Sequence, residues 1–143
     1  MAQLKIIRDK EHLKMIGILL VTHGEIGKSL IDCASNIHGK SINLLECIPV
    51  NPKSDLEECQ KFIKNEIKNL DIGSGVLIMT DVYGATPSNM LKRYITLDNI
   101  EVITGLNLPM LLQAITNRDS PLAEITKACM NAAEKGIIKM NSK

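Results

Sequence analysis

A chain of 143 residues with 45% apolar and 23% charged side chains can bury one substantial core. A net charge of +1 offers no electrostatic handle for nucleic acid or an anionic membrane. One phenylalanine, two tyrosines and no tryptophan leave few platforms on which a base or sugar ring could stack.

Residues 1–14 carry Lys5, Arg8, Asp9, Lys10, Glu11 and Lys14 without an apolar signal segment, and read as a flexible leader before a domain over 15–143. Residues 16–22, almost wholly apolar, predict a strand buried on both faces, with His23 and Gly24 where it should run out. The following segment has helical spacing, with Ile26, Leu30, Cys33, Ala34 and Ile37 on one face. His38-Gly39 closes it with a basic last turn and a left-handed cap. A second strand is expected over 42–48, then a helix opened by the S-x-x-E capping box Ser54-Asp55-Leu56-Glu57. Its inward face reads Leu56, Cys59, Ile63, Ile67 and Leu70. A third strand over 75–80 ends at Asp81, and a third helix follows Thr86-Pro87, with proline at its first position. A fourth strand over 100–104 leads to a helix near Leu108. A last helix follows Ser120-Pro121 and runs to Lys135, and Ile137-Ile138-Lys139-Met140 after Gly136 reads as a short fifth strand. Cys33, Cys47, Cys59 and Cys129 have no CxxC or metal-ligand spacing and read as small hydrophobes of a reduced, cytoplasmic protein. No apolar run reaches the ~18 residues of a membrane span.

The alternation of strand and helix predicts a doubly wound α/β fold. In the strand order 2-1-3-4 the switch point lies between the carboxyl ends of strands one and three, where His23 and Asp81 stand. A histidine that accepts phosphate needs one neutral ring nitrogen aimed at the donor. A carboxylate on the other ring N–H fixes that tautomer and steadies the charge gained on attack, and Asp81 can supply it. Each residue also has a plainer reading: His23 bonded to loop backbone, Asp81 as a loop residue or cap, Thr86 as a cap alone. By contrast, His12 lies in the leader and His38 at a helix end. The loop Asp81-Val82-Tyr83-Gly84-Ala85-Thr86-Pro87-Ser88-Asn89 has features of a phosphate site. Gly84 permits close backbone approach, and Thr86 stands at the cap of a helix whose free N–H groups favour an anion. Gly24, Gly84, Ala85 and Ser88 complete the candidate phosphate loop. Asn107 reads as a helix cap, with Met110 and Leu111 as core.

The segments Ile18-Leu19-Leu20-Val21-Thr22-His23-Gly24, Asp81 to Asn89, and Thr104-Gly105-Leu106-Asn107-Leu108-Pro109-Met110-Leu111 together resemble the enzyme IIA component of the mannose-type phosphoenolpyruvate-dependent sugar phosphotransferase system. The resemblance runs from about Met15 to the C-terminus. It implies that His23 takes phosphate from the phosphocarrier HPr and passes it to a separate enzyme IIB for sugar uptake. It assigns orientation of the histidine to Asp81 and the hydroxyl beside the phosphate to Thr86. It also implies an antiparallel C-terminal strand exchanged across a homodimer, no cofactor or metal, and membrane association only through a transporter complex. The chain departs from the family at Gly84-Ala85, where two glycines are usual. A regulatory phosphohistidine module without a transporter would use the same residues. A P-loop enzyme is the other rival, from Gly27-Lys28-Ser29, but Thr22 stands where that motif needs glycine. Two ligands, His23 and Asp81, are too few for a zinc site.

Overall fold

The computed structural model describes residues 14–141, so the leader expected over 1–14 falls outside it except for Lys14, and His12 falls outside with it. Strands β1 (Gly17–His23), β2 (Leu45–Val50), β3 (Val76–Thr80) and β4 (Ile100–Ile103) form one sheet in the order β2-β1-β3-β4. All three pairings are parallel, and the expected doubly wound architecture is present.

β1 from Gly17 to Thr22 and all of β3 are buried, as central strands covered on both faces must be. Successive side chains point to opposite faces and divide the core in two. Ile16, Ile18, Leu20, Leu77, Met79 and Ile103 lie on one side, under α1 (Ile26–His38), α4 (Leu108–Thr116) and α5 (Leu122–Lys135). Leu19, Val21, Ile48, Val50, Val76, Ile78 and Ile100 lie on the other. They are covered by α2 (Leu56–Leu70), by the short α3 (Thr86–Met90) and by the 3-10 turn Lys92–Tyr94. Full burial of each such side chain stabilises the fold by roughly 1.5–3 kcal/mol.

Several local expectations are corrected. β2 starts at Leu45 rather than 42, because Leu44 takes a φ of 51° and turns the chain before the strand begins. The buried stripe of α1 is Gly27 and Ala34, with Leu30 and Ile31 packed beside them, whereas Ile26, Ile37 and Cys33 face out. Gly27 sets this rotation. A Cβ there would stand 3.1 Å from Cys47 Cβ and 3.2 Å from Thr22 Oγ1, so the helix approaches the sheet on its glycine side. Cys33 is therefore not a core residue, while Cys59 and Cys129 are. Leu56 is exposed, and the inward face of α2 is Cys59, Ile63, Ile67 and Leu70. The capping box is absent: Asp55 is the N-cap, accepting from the N–H groups of Glu57 and Glu58, and Ser54 Oγ accepts from Asn51 N–H instead. Residues 137–140 form no strand within the chain, and Ile137, Ile138 and Met140 are exposed.

Candidate functional site

His23 and Asp81 come together at the carboxyl ends of β1 and β3, as the switch-point argument requires. The register pairs Val21 with Thr80, so one further residue on β3 brings Asp81 beside the end of β1. Asp81 Oδ2 accepts both the backbone N–H of His23 and its ring Nδ1–H, each at 2.9 Å. Its other oxygen accepts the N–H of Val82 at 2.9 Å. Burial by itself pushes the Asp81 carboxyl upward, but these donors and the histidine outweigh it and hold the group below its ordinary value. An ionised carboxylate only accepts, so the proton on the shared edge belongs to Nδ1. In the neutral imidazole Nε2 is then the unprotonated nitrogen, and the His23 side chain is 48% exposed where that of Asp81 is only 10%.

A cleft of about 390 Å³ opens beside the histidine, lined by Val50, Asn51, Pro52, Ser54, Leu56 and Thr86. Gly24 follows the histidine and donates its N–H to Val50 O at 3.0 Å, joining the end of β1 to that of β2. Thr86 is the first residue of α3 rather than its cap. Ala85 takes the capping position in extended backbone, so the Thr86 hydroxyl makes no cap bond, and Thr86 lines the cleft. The first turn leaves N–H groups without helical acceptors, here on Thr86 and Ser88, Pro87 having none.

The loop explains the departure from two glycines. Gly84 has a φ of 82°, which disfavours a side chain, whereas Ala85 at φ −85° and ψ 173° is unstrained. Only the first position needs glycine. Ser88 holds this loop together: its Oγ accepts the Gly84 N–H at 2.8 Å and donates to Ala85 O at 3.1 Å. Its hydroxyl is thus engaged within the loop, unlike that of Thr86. Asn107 is the N-cap of α4, accepting from Met110 N–H at 2.9 Å, with Met110 and Leu111 buried. The Thr104-to-Leu111 motif reaches the site through backbone: Gly105 N–H donates to Asp81 O at 3.2 Å and Leu106 N–H to Thr80 O at 3.1 Å.

Thr22 and Asn51 were not singled out as site residues by the sequence. Thr22 Oγ1 accepts the Gly27 N–H at 3.0 Å, tying the first turn of α1 to the strand that carries His23. This engagement and the packing of Gly27 leave Lys28 and Ser29 on an exposed turn, not in a phosphate-wrapping loop. Asn51 lines the cleft one residue after β2. Its only sequence signal was proximity to the end of a strand. No group of three or more His, Cys, Asp or Glu side chains with metal-site geometry occurs among the described residues. No helix among them is long and apolar enough to cross a membrane.

Known proteins share sequence and fold with this chain. The profile of the family described as PTS system fructose IIA component, where PTS is the phosphotransferase system, matches residues 17–132. The chain is 27% identical over 131 residues to the PTS system mannose-specific EIIAB component of Escherichia coli (strain K12). That match takes in 90% of the chain but only 40% of the relative's length. It is 26% identical over 106 residues to the PTS system fructose-specific EIIA component of Bacillus subtilis (strain 168), covering 73% of this chain and 72% of the relative. The PTS IIA protein associated with the fucose utilization operon from Streptococcus pneumoniae superposes with a TM-score of 0.78 at 26% identity, over 87% of this chain and 93% of that one. The mannose/sorbose specific IIA subunit from Enterococcus faecalis shares the fold, with a TM-score of 0.79 at 18% identity over 90% and 97% of the two chains. With the family profile spanning β1 through most of α5, the chain belongs to the family of phosphotransferase-system IIA components of the fructose and mannose type.

Proposed function

We propose that this protein is a phosphoryl carrier of the sugar phosphotransferase system, taking phosphate from phospho-HPr on His23 and handing it to an enzyme IIB. The observation that carries the reading is the pair of hydrogen bonds from His23 to Asp81, which leaves Nε2 as the open nucleophile. The Nε2 lone pair attacks phosphorus. The bond from phosphorus to the donor's imidazole nitrogen breaks, with its electron pair returning to that nitrogen. The Nδ1 proton stays on its hydrogen bond to Asp81, which offsets the positive charge the ring acquires. Transfer to the acceptor repeats the same exchange in reverse, so no net proton or redox change is needed. Transfer between imidazoles is close to balanced, and alignment with neutral donors around the phosphoryl oxygens suffices. The proposal includes a homodimer in which residues 137–140 add an antiparallel strand to β4 of a second copy. Ile137, Ile138 and Met140 are 80%, 73% and 94% exposed in the single chain, an apolar segment left uncovered by the described residues.

Labelling tests the carrier reading. With phosphoenolpyruvate, the first enzyme of the system and HPr, the full chain should acquire an acid-labile, alkali-stable phosphoryl group. The label should vanish in His23→Ala and persist in His12→Ala and His38→Ala. Label retained in His23→Ala, or acquired from magnesium-ATP alone, would overturn the assignment.

A further inference from the structure

Asn51 is an exposed polar residue at a turn, and on composition alone it would be counted as solvated loop. Its surroundings are more specific. The turn that carries it is closed by two reciprocal bonds, Asn51 N–H to Ser54 Oγ at 2.9 Å and Ser54 N–H to Asn51 O at 3.0 Å. Pro52 further restricts the backbone between them. The preceding residue, Val50, is held to the histidine strand through Gly24 N–H at 3.0 Å. The Asn51 side chain therefore projects from a fixed support. Its Oδ1 lies 3.7 Å from the place a Cβ would occupy on Gly24, the residue next to His23. Asn51 shares one cleft with His23 and Thr86, and among the described residues its amide has no hydrogen-bond partner. No lysine or arginine lines that cleft.

Resting on the carrier reading, we propose that the Asn51 side-chain amide is a further catalytic residue, donating a hydrogen bond to the phosphoryl group as it joins and leaves Nε2 of His23. A phosphoryl dianion beside the Asp81 carboxylate needs donors that do not themselves repel or trap it. An uncharged amide meets that need. It stabilises the charge spread over the phosphoryl oxygens in transfer, and it does not bind the product as tightly as a cation would. The Thr86 hydroxyl provides a second donor from the α3 side of the cleft. Because the Ser54 bonds fix the turn in advance, little reorganisation is left to the moment of transfer.

The test uses the full chain with phospho-HPr as donor, reading the transfer rate by rapid quench and the phosphohistidine by ³¹P NMR. Asn51→Ala should slow phosphorylation of His23 about tenfold, the loss of one donor to a charged group in an open site. Asn51→Asp, nearly the same shape but negative, should slow it on the order of a hundredfold. Both should move the ³¹P resonance of the phosphorylated protein while leaving the urea midpoint of the unphosphorylated form unchanged. Wild-type rates and an unmoved resonance in both variants, with His23 labelled, would overturn the role of Asn51 and leave the carrier reading intact. Absence of label on wild-type His23 would overturn both.

Discussion

At the scale of single residues, the proposed chemistry rests on Asp81 staying ionised. Its carboxyl is held below the ordinary carboxylate value near 3.9. A lowered native pKa means the interaction contributes stability above the unfolded value and loses it as pH falls through the lower native one. Urea midpoints measured from neutral pH into acid should therefore fall more steeply for the wild type than for Asp81→Asn across that interval. Equal slopes would show that the carboxylate gains nothing from His23. The same substitution should slow phosphoryl transfer at neutral pH by about tenfold or more, since an amide can hold the wrong ring tautomer and cannot balance an imidazole charge. Rates matching wild type at matched stability would remove Asp81 from the mechanism.

At the scale of elements, the end of the sheet away from His23 is organised by Arg118, which is 7% exposed and follows α4. Its Nη2 donates to Ile16 O and Leu44 O, each at 2.7 Å, and Nη1 donates to Asn43 O. The Ile16 N–H in turn donates to Arg118 O at 3.0 Å. One guanidinium thus fastens the start of β1 to the turn where Leu44 adopts its positive φ. Burial lowers its pKa to about 10, leaving it charged at neutral pH. Arg118→Ala would take a donor from three carbonyls, of which Leu44 O keeps the Ile18 N–H, and would open a void; it is expected to cost about 3–5 kcal/mol. Arg118→Lys should recover little, because an ammonium lacks the planar fork that reaches all three. A urea-derived loss below about 1 kcal/mol for the alanine variant would show that the clamp is dispensable.

At the scale of the whole molecule, the sheet has two edges with different fates. β2 carries the exposed Pro49, which has no N–H to offer a new strand, and its flank is closed by α2. β4 is the other edge, paired among the described residues with β3 alone. The apolar residues 137–140 follow α5, which covers the same side of the sheet as Ile103. The proposed dimer joins these two unsatisfied features. Deleting residues 137–143 should leave monomer or aggregate by multi-angle light scattering. A truncated protein that remains a folded dimer would place the subunit contact elsewhere.

Much of this molecule was legible in its residues. The apolar runs ending at His23 and Asp81 and the helical spacing between strands are local properties, and a parallel sheet with its reactive ends on one side follows from them. What periodicity could not supply was the rotation of each helix against the sheet. For α1 that depended on Gly27 coming within contact of Cys47 and Thr22, a close approach between segments distant in sequence. The same reason hid Arg118 and Asn51, since neither belongs to a motif: Arg118 is held by carbonyls that other elements supply, and the role proposed for Asn51 depends on a cleft that other elements complete. It also placed Thr86 inside α3, because the extended backbone of Ala85 had already taken the cap. Hydrophobic pattern and turn chemistry are encoded residue by residue and determined the elements. Which polar groups were left free to act was decided only by packing, because hydrogen bonds are claimed by whichever donors and acceptors the fold brings together.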